Sequence, residues 1–178
     1  TCHGKGGWAL FGQNGTILDI GGQDTKMIHI REGQVTDFLM NDKCAAGTGK
    51  FIEVMANRLG TDLNDFYTMA EAGPPVSISA MCTVFAESEV ISQLSNGVPR
   101  ENIVAGVHKS VATKTCALVR RCGELQQEVV MCGGVAKNPG AVDAMEKALG
   151  AKITVAPNPQ ITGALGAALL AWEAYQKQ

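Results

Sequence analysis

The amino-acid sequence predicts a mixed α/β fold, and the order of its hydrophobic patterns carries that prediction. Three strand-like stretches lie between residues 16 and 40, and helix-like stretches follow up to residue 122. The remainder has the order strand, helix, strand, helix. Strands followed by helices and then by β-α units are typical of a sheet covered by helices. With 46% hydrophobic and 18% charged residues, the chain of 178 residues has the composition of a globular protein.

The individual elements follow from local signals. Short apolar or alternating runs predict strands, and Glu32-Gly33 predicts a hairpin turn between two of them. Amphipathic runs with capping residues and glycine stops predict helices. The predicted strands are residues 16–20, 26–31, 34–40, 128–131 and 152–155. The predicted helices are residues 47–59, 62–72, 83–95, 99–122 and 138–149, with a last helix from residue 162 onwards.

The beginning of the chain differs from the rest. Glycines crowd residues 1–14, so we expect a loop there. The segment has no initiator Met and is typical of the middle of a protein. We therefore expect the chain to be a piece of a longer protein or a processed form.

Composition excludes several classes of function. The formal charge of −2 gives no electrostatic reason to expect binding to nucleic acid or to an anionic membrane. No apolar run reaches the length needed to cross a bilayer. The six cysteines form no CxxC pair, which favours a reducing cytoplasm over a disulfide framework.

Two glycine pairs follow predicted strands. Gly21-Gly22 comes shortly after Asp19, and Gly133-Gly134 precedes a predicted helix start at Asn138. Glycine lets the backbone approach a phosphate closely, and a carboxylate can hold Mg²⁺ through water. One such pair by itself is more often only a turn. The two pairs together, followed by a glycine-rich closing helix, predict a nucleotide site.

Two cysteines precede predicted helices. Cys44 stands before a small-residue turn with Thr48 as the expected cap, and Cys82 stands before Thr83, a second possible cap. The positive end of a helix favours a thiolate or an anionic ligand built on one. Two thiols at two helix starts suggest one shared task.

The alternative is that Cys44 and Cys82 are small buried hydrophobic residues. That interpretation is preferred for Cys116, Cys122 and Cys132, while Cys2 stays unassigned. The three histidines, His3, His29 and His108, are widely spaced and predict no metal triad.

Three motifs resemble a known family. Residues 19–26 (DIGGQDTK), 41–51 (NDKCAAGTGKF) and 81–90 (MCTVFAESEV) are similar to motifs of the ATP-dependent activators of 2-hydroxyacyl-CoA dehydratases. The ATPase subunits of benzoyl-CoA reductase are relatives. The resemblance covers residues 16–171 and implies the ribonuclease-H-like, two-lobed nucleotide-binding fold of actin, sugar kinases and heat-shock-cognate proteins.

The resemblance also implies a function. Residues 19–23 would be the second phosphate motif, residues 133–134 the adenosine motif and residues 163–168 a connecting helix. The implied cofactors are ATP or ADP, Mg²⁺ and a [4Fe-4S] cluster between two identical subunits. Hydrolysis of ATP would drive one electron from this cluster to a dehydratase or CoA-ester reductase. Reduced ferredoxin or flavodoxin would be the donor. The implied site residues are Asp19 and Gln23 for catalysis, Gly21, Gly22, Gln23, Gly133, Gly134 and Gln160 for the nucleotide, and Cys44 and Cys82 for the cluster.

The chain departs from the family in one respect. Members begin with a first phosphate loop of the type Gly-x-Asp-x-Gly-Ser-Thr, and this sequence has none. We therefore expect an incomplete first lobe, with residues 1–43 as its remnant and residues 44–178 as the second lobe. Two alternatives remain open: a kinase of a small carboxylate or sugar on the same fold, or a lobe without activity that only dimerises. A kinase does not need the two cysteine-bearing helix starts.

Overall fold

The computed structural model describes residues 1–70, 72–79 and 82–177. Residue 71, inside the predicted helix 62–72, and Met81, inside the motif 81–90, lie outside the described residues. The strands are β1 (Gly15–Ile20), β2 (Thr25–Arg31), β3 (Gln34–Asn41), β4 (Val129–Cys132) and β5 (Ile153–Val155). The α-helices are α1 (Cys2–Phe11), α2 (Gly49–Leu59), α3 (Leu63–Met69), α4 (Thr83–Ser95), α5 (Arg100–Arg121), α6 (Pro139–Leu149) and α7 (Thr162–Tyr175), and a short 3₁₀ turn spans Gly134–Lys137.

The five strands form one sheet in the order β3-β2-β1-β4-β5. Strand β1 pairs antiparallel with β2 and parallel with β4, and β5 pairs parallel with β4. All residues of β1 and β4 are buried, as expected for central strands covered on both faces. Because β1 and β4 are parallel neighbours, both strands end at the same edge of the sheet.

The sheet also crosses the predicted boundary between residues 43 and 44. Strands β1 to β3 lie before that boundary, and β4 and β5 lie after it. Within this chain, the boundary therefore does not separate two sheets. The assignment of residues 1–43 and 44–178 to two lobes of a larger protein stays a prediction.

The two faces of the sheet are covered by different helices. Alternate residues of β1 point to opposite sides: Leu18 and Ile20 belong to the large core with α2 and α5, whereas Ile17 belongs to a smaller core near α1. Residues buried in the large core include Phe51, Met55, Phe66, Ile103, Val107, Met131 and Met145. Among the described residues, no helix is both long and apolar enough to span a bilayer.

The loop expected over residues 1–14 is wrong, because α1 spans Cys2–Phe11. Its glycines lie where α1 and α7 cross closely. A β-carbon on Gly6 would collide with the Thr162 carbonyl group, and one on Gly166 would collide with the Cys2 carbonyl group. Local propensity disfavours a glycine-rich helix, but the packing of two backbones side by side requires residues without side chains.

Candidate functional site

An open cleft brings together four of the residues expected to bind the nucleotide. Its volume is about 240 Å³, and it lies where the glycine pairs follow β1 and β4. Gly21, Gly22, Gly134 and Gln160 line it. The other lining residues are Gly49, Ile52, Glu53, Leu63, Tyr67, Val135 and Asn138. The parallel register of β1 and β4 explains why turns more than a hundred residues apart along the chain meet here.

The glycines of this edge serve different purposes. A β-carbon added to Gly22 would have no described atom within 4 Å. A β-carbon added to Gly134 would meet only Gln160 Nε2, at 3.6 Å. The packing of the described residues therefore does not require glycine at these two positions, which leaves space for a ligand. Gly133 is different: its φ is +85° and a β-carbon would collide with the backbone of Ile20. Gly133 shapes the turn.

Polar groups lie beside the Gly134 side of the cleft. Lys137 Nζ donates to Gln160 Oε1 at 2.8 Å, which places a cation beside the cleft. The side chain of Asn138 accepts a hydrogen bond from the Ala141 amide and so caps α6. Asn138 Nδ2 lies 2.7 Å from Nε2 of the buried His108. The sequence marked Asn138 only as a helix start and missed Lys137.

The Asp19 carboxylate lies at the end of β1 and points toward α1. Lys26 Nζ lies 3.3 Å from Oδ1, His3 Nε2 lies 3.5 Å from Oδ2, and the Cys132 thiol donates to Oδ2 at 3.3 Å. Burial lowers the pKa of Lys26, but its hydrogen bond to Asp24 and the charges of Asp19 and Asp24 outweigh burial and raise it. Burial, and next the charge of Asp19, raise the pKa of the Cys132 thiol.

The predicted catalytic pair is thus not gathered in the cleft. Asp19 is buried among its partners, and Gln23 is exposed on the loop after Gly22. Neither residue lines the cleft. Their catalytic roles stay predictions.

The start of α2 is joined to the first glycine loop. The Gly49 amide donates to the Gly21 carbonyl and the Lys50 amide to the Gly22 carbonyl, each at 2.8 Å. The helix begins at Gly49 rather than at residue 47 and ends before Gly60, which has the expected left-handed conformation. Its first N–H groups therefore serve the glycine loop. The stabilisation of a Cys44 thiolate by the positive end of α2 stays a prediction.

The caps of the two cysteine-bearing segments also differ from the prediction. Thr48 occupies the N-cap position of α2, but its hydroxyl donates to the Ala45 carbonyl at 2.6 Å. In α4, Cys82 itself is the N-cap residue and Thr83 is the first helical residue. Cys82 therefore stands at the positive end of its helix, as expected from the sequence.

Both cysteines are half-buried, and their helices contact each other. Arg58 Nε of α2 lies 2.5 Å from Glu87 Oε1 of α4. Next to Cys82, the side chains of Val84 and Phe85 are 65% and 67% exposed. Val84 and Phe85 thus form an exposed apolar pair in the first turn of α4.

Two larger cavities lie elsewhere. A cavity of about 580 Å³ is lined by His108, Lys109 and Asp143, and one of about 320 Å³ is lined by Lys43 and Arg121. Neither is lined by the glycine pairs. Burial lowers the pKa of His108 to about 4, so this residue carries no positive charge at neutral pH. The glycine turns and the start of α2 meet in the smaller cleft, which makes it the candidate nucleotide site.

The chain was compared with known proteins. Residues 1–171 match the BadF/BadG/BcrA/BcrD ATPase family. The activator of lactoyl-CoA dehydratase from Anaerotignum propionicum is 57% identical over 180 residues, covering 100% of this chain and 69% of the relative.

Two solved structures share its fold closely. Component A of (R)-2-hydroxyglutaryl-CoA dehydratase from Acidaminococcus fermentans is 49% identical with a TM-score of 0.92, covering 97% of this chain and 67% of that chain. The activator of 2-hydroxyisocaproyl-CoA dehydratase from Clostridium difficile was solved with bound ADPNP and is 48% identical, with a TM-score of 0.92. The match covers 99% of this chain and 66% of that chain. This chain thus spans about two thirds of the length of these relatives.

These matches confirm the resemblance that the three motifs carry and the fold class that it implies. The chain belongs to the BadF/BadG/BcrA/BcrD ATPase family.

Proposed function

We propose that the protein to which this chain belongs is an ATP-dependent activator. It passes one electron to a 2-hydroxyacyl-CoA dehydratase or a related CoA-ester reductase through a [4Fe-4S] cluster shared by a homodimer. The observation that carries the proposal is the direct link between the two predicted sites. The carbonyl groups of Gly21 and Gly22 accept hydrogen bonds from the first amides of α2, and Cys44 lies on the turn just before that helix.

The cleft supports nucleotide binding. Gly22 and Gly134 leave open the space that side chains would occupy, so backbone amides can approach phosphate or adenosine groups. Lys137 and Gln160 add polar groups beside it. The relative solved with bound ADPNP supports the same ligand class. Asp19 and Gln23 are proposed to act on the phosphates with Mg²⁺, and a magnesium shell at Asp19 requires the exchange of its ion pair with Lys26.

The cysteines fit one half of a cluster site. Cys44 and Cys82 are each half-buried, and Cys82 is the N-cap residue of α4. Fe–S clusters are held by four thiolates. A second copy related by two-fold symmetry would supply the other two, with Val84 and Phe85 buried in the interface. The cluster supplies a one-electron redox centre, and the chain supplies the ligands and the positive end of α4.

The link between the sites supports coupling. A ligand on the glycine loop contacts the same backbone whose carbonyl groups hold Gly49 and Lys50. A small shift of this loop is passed directly to the start of α2 and to the turn that carries Cys44. We infer that nucleotide binding adjusts the position of Cys44. The proposed electron donor is reduced ferredoxin or flavodoxin.

Anaerobic purification of the full-length protein tests the proposal. We expect brown protein with close to four iron and four sulfide per dimer and calorimetric binding of ATP or ADP. A colourless, iron-free protein that phosphorylates a small carboxylate or sugar would instead support the kinase alternative. Iron-free protein that binds no nucleotide would leave only the inactive lobe.

A further inference from the structure

Three side chains of types that bind metals meet at the end of α5. They are His29 on β2, Asp37 on β3 and Cys122, the residue that follows α5. One ligand atom from each lies within 4.8 Å of the ligand atoms of the other two. The register of the sheet explains the meeting, because His29 and Asp37 are direct cross-strand partners. Cys122 reaches them from the end of the helix that packs on the same face.

His29 points independently to a ligand. Its side chain is buried, with 3% exposure, and its Nε2 atom has no hydrogen-bond partner among the described residues. A buried polar atom without a partner costs free energy, and native structures rarely keep one unless a water, an ion or a ligand pairs with it. The sequence placed His29 among isolated histidines and Cys122 among structural cysteines.

The three ligand types fit a divalent transition-metal ion. Zn²⁺ takes nitrogen, sulfur and oxygen ligands in a tetrahedron, and its bond lengths imply ligand separations of roughly 3.3–3.8 Å. The three ligand atoms lie within 4.8 Å of one another, so metal binding requires a small inward shift of the side chains. A thiolate and a carboxylate together balance the charge of Zn²⁺, and the neutral imidazole is the third ligand.

We propose that His29, Asp37 and Cys122 bind a divalent transition-metal ion, with Zn²⁺ as the best match, and leave a fourth position for water or an external ligand. The site is made from side chains that the ATPase and the proposed cluster do not use. It ties β3, an exposed edge strand, to the end of α5.

The protonation states agree with this site. Burial lowers the pKa of His29, which favours the neutral imidazole that a metal requires. Burial and then the hydrogen bond to the Asp37 carboxylate raise the pKa of Cys122. Without a metal, Cys122 is therefore a protonated thiol and a poor nucleophile, which argues against a Cys-His-Asp catalytic triad. Metal binding displaces the thiol proton.

The test uses Co²⁺ as a spectroscopic probe in the full chain with Cys44→Ser and Cys82→Ser, so that the proposed cluster ligands do not bind it. We expect one Co²⁺ per chain, with tetrahedral ligand-field bands and a thiolate-to-cobalt charge-transfer band. Adding Cys122→Ser should remove the charge-transfer band. Adding His29→Gln or Asp37→Asn should weaken Co²⁺ binding by roughly tenfold or more. Cys116→Ser, on the same helix, is the matched control and should change nothing.

Zinc provides a second readout in the same Cys44→Ser, Cys82→Ser chain. Zn²⁺ should raise the midpoint of its thermal unfolding, and the increase should be clearly smaller after Asp37→Asn is added. Because the Asp37 side chain is exposed, we expect this variant to fold. This variant keeps the test valid if Cys122→Ser or His29→Gln does not fold. Absence of Co²⁺ bands, or bands and thermal shifts that survive all three substitutions, would overturn the proposal. Neither result bears on nucleotide binding or on iron content, so this site and the proposed function are tested separately.

Discussion

The two cysteine-bearing segments look alike in sequence but are held in different ways. The segment of Cys44 is built into the protein: the turn after it leads to α2, whose first amides bind the Gly21 and Gly22 carbonyl groups. The segment of Cys82 faces outward, with Cys82 as the cap of α4 and Phe85 exposed in its first turn. One segment is thus held by the candidate cleft, and the other is exposed. Under the proposed function, the Cys44 segment would respond to the nucleotide and the Cys82 segment would face the second subunit.

The largest expected effect is the loss of the proposed cluster when either cysteine is replaced. Cys44→Ser and Cys82→Ser should each abolish the cluster almost completely, because each change removes two of four ligands from a symmetric dimer. Iron and sulfide per dimer after anaerobic reconstitution measure this, with cluster absorbance as a second readout. Cys116→Ser and Cys132→Ser are the controls and should keep the iron content of the parent. If both single variants reconstitute fully, the shared-cluster proposal fails.

The second expectation is that folding stability falls in acid because of a buried histidine beside the cleft. Burial lowers the pKa of His108 from 6.5 to about 4, and His108 contacts Asn138 in the cleft wall. Between these values the unfolded chain binds a proton that the folded chain does not, so stability falls as pH drops from 6.5 to 4. The loss is about 3 kcal/mol when complete.

Urea unfolding at pH 7 and pH 4.5 measures this loss. His108→Gln keeps a hydrogen-bonding group near Asn138 but does not titrate. This variant should lose clearly less stability between the two pH values than the parent. An equal loss in parent and variant would contradict the assignment of the acid sensitivity to His108.

The third prediction tests the nucleotide side of the comparison. Gly134→Val should weaken ATP or ADP binding in the full-length protein by about tenfold or more, because the new side chain fills space in the cleft. The fold should persist, since the packing of the described residues does not require glycine there. Calorimetric titration and circular dichroism measure the two properties.

Gly21 and Gly133 sharpen this result. Gly21→Val should also weaken nucleotide binding, although its β-carbon would lie 3.0 Å from Asp24 Oδ1 and push that side chain aside. Gly133→Val should instead lower stability, because of its positive φ and its contact with Ile20. A folded Gly134→Val protein with unchanged nucleotide affinity would remove this glycine from the site.

The smallest expected effect concerns the outward segment. Phe85→Ser should weaken the proposed homodimer several-fold, up to about tenfold, because it removes an exposed aromatic side chain from the interface. Sedimentation measures the dissociation constant, and Ile161→Ser, another exposed apolar residue, is the matched control. If Phe85→Ser and Ile161→Ser have equal dissociation constants, Phe85 is not part of the dimer interface.

Local sequence patterns predicted the elements whose bounds depend on residues close in sequence. The alternation of β1 to β3 and the stop at Gly60 were predicted within one or two residues. Helix α1 was missed, because its glycines argue against a helix until α7 is known to pack on them. The cap of α4 was assigned to Thr83 rather than Cys82, a shift of one residue that depends on backbone angles.

The candidate site was predicted in part. The two glycine turns were identified as one nucleotide site, and parallel pairing of β1 with β4 brings them together. Lys137 was missed because a lone lysine carries no pattern, and only its contact with Gln160 places it beside the cleft. The cluster of His29, Asp37 and Cys122 was missed for the same reason: its members are far apart in sequence and belong to three elements.

The sequence by itself determined the family, the order of strands and helices, and the residue types available for phosphate and iron. These properties depend on short motifs and on patterns repeated within a few residues. Only the tertiary structure decided which groups are already engaged: the first amides of α2 by the glycine loop, and Asp19 by Lys26 and His3. It also decided that Nε2 of the buried His29 has no hydrogen-bond partner among the described residues. The physical reason is that hydrogen bonding and burial depend on neighbours in space, and such neighbours come from distant parts of the chain.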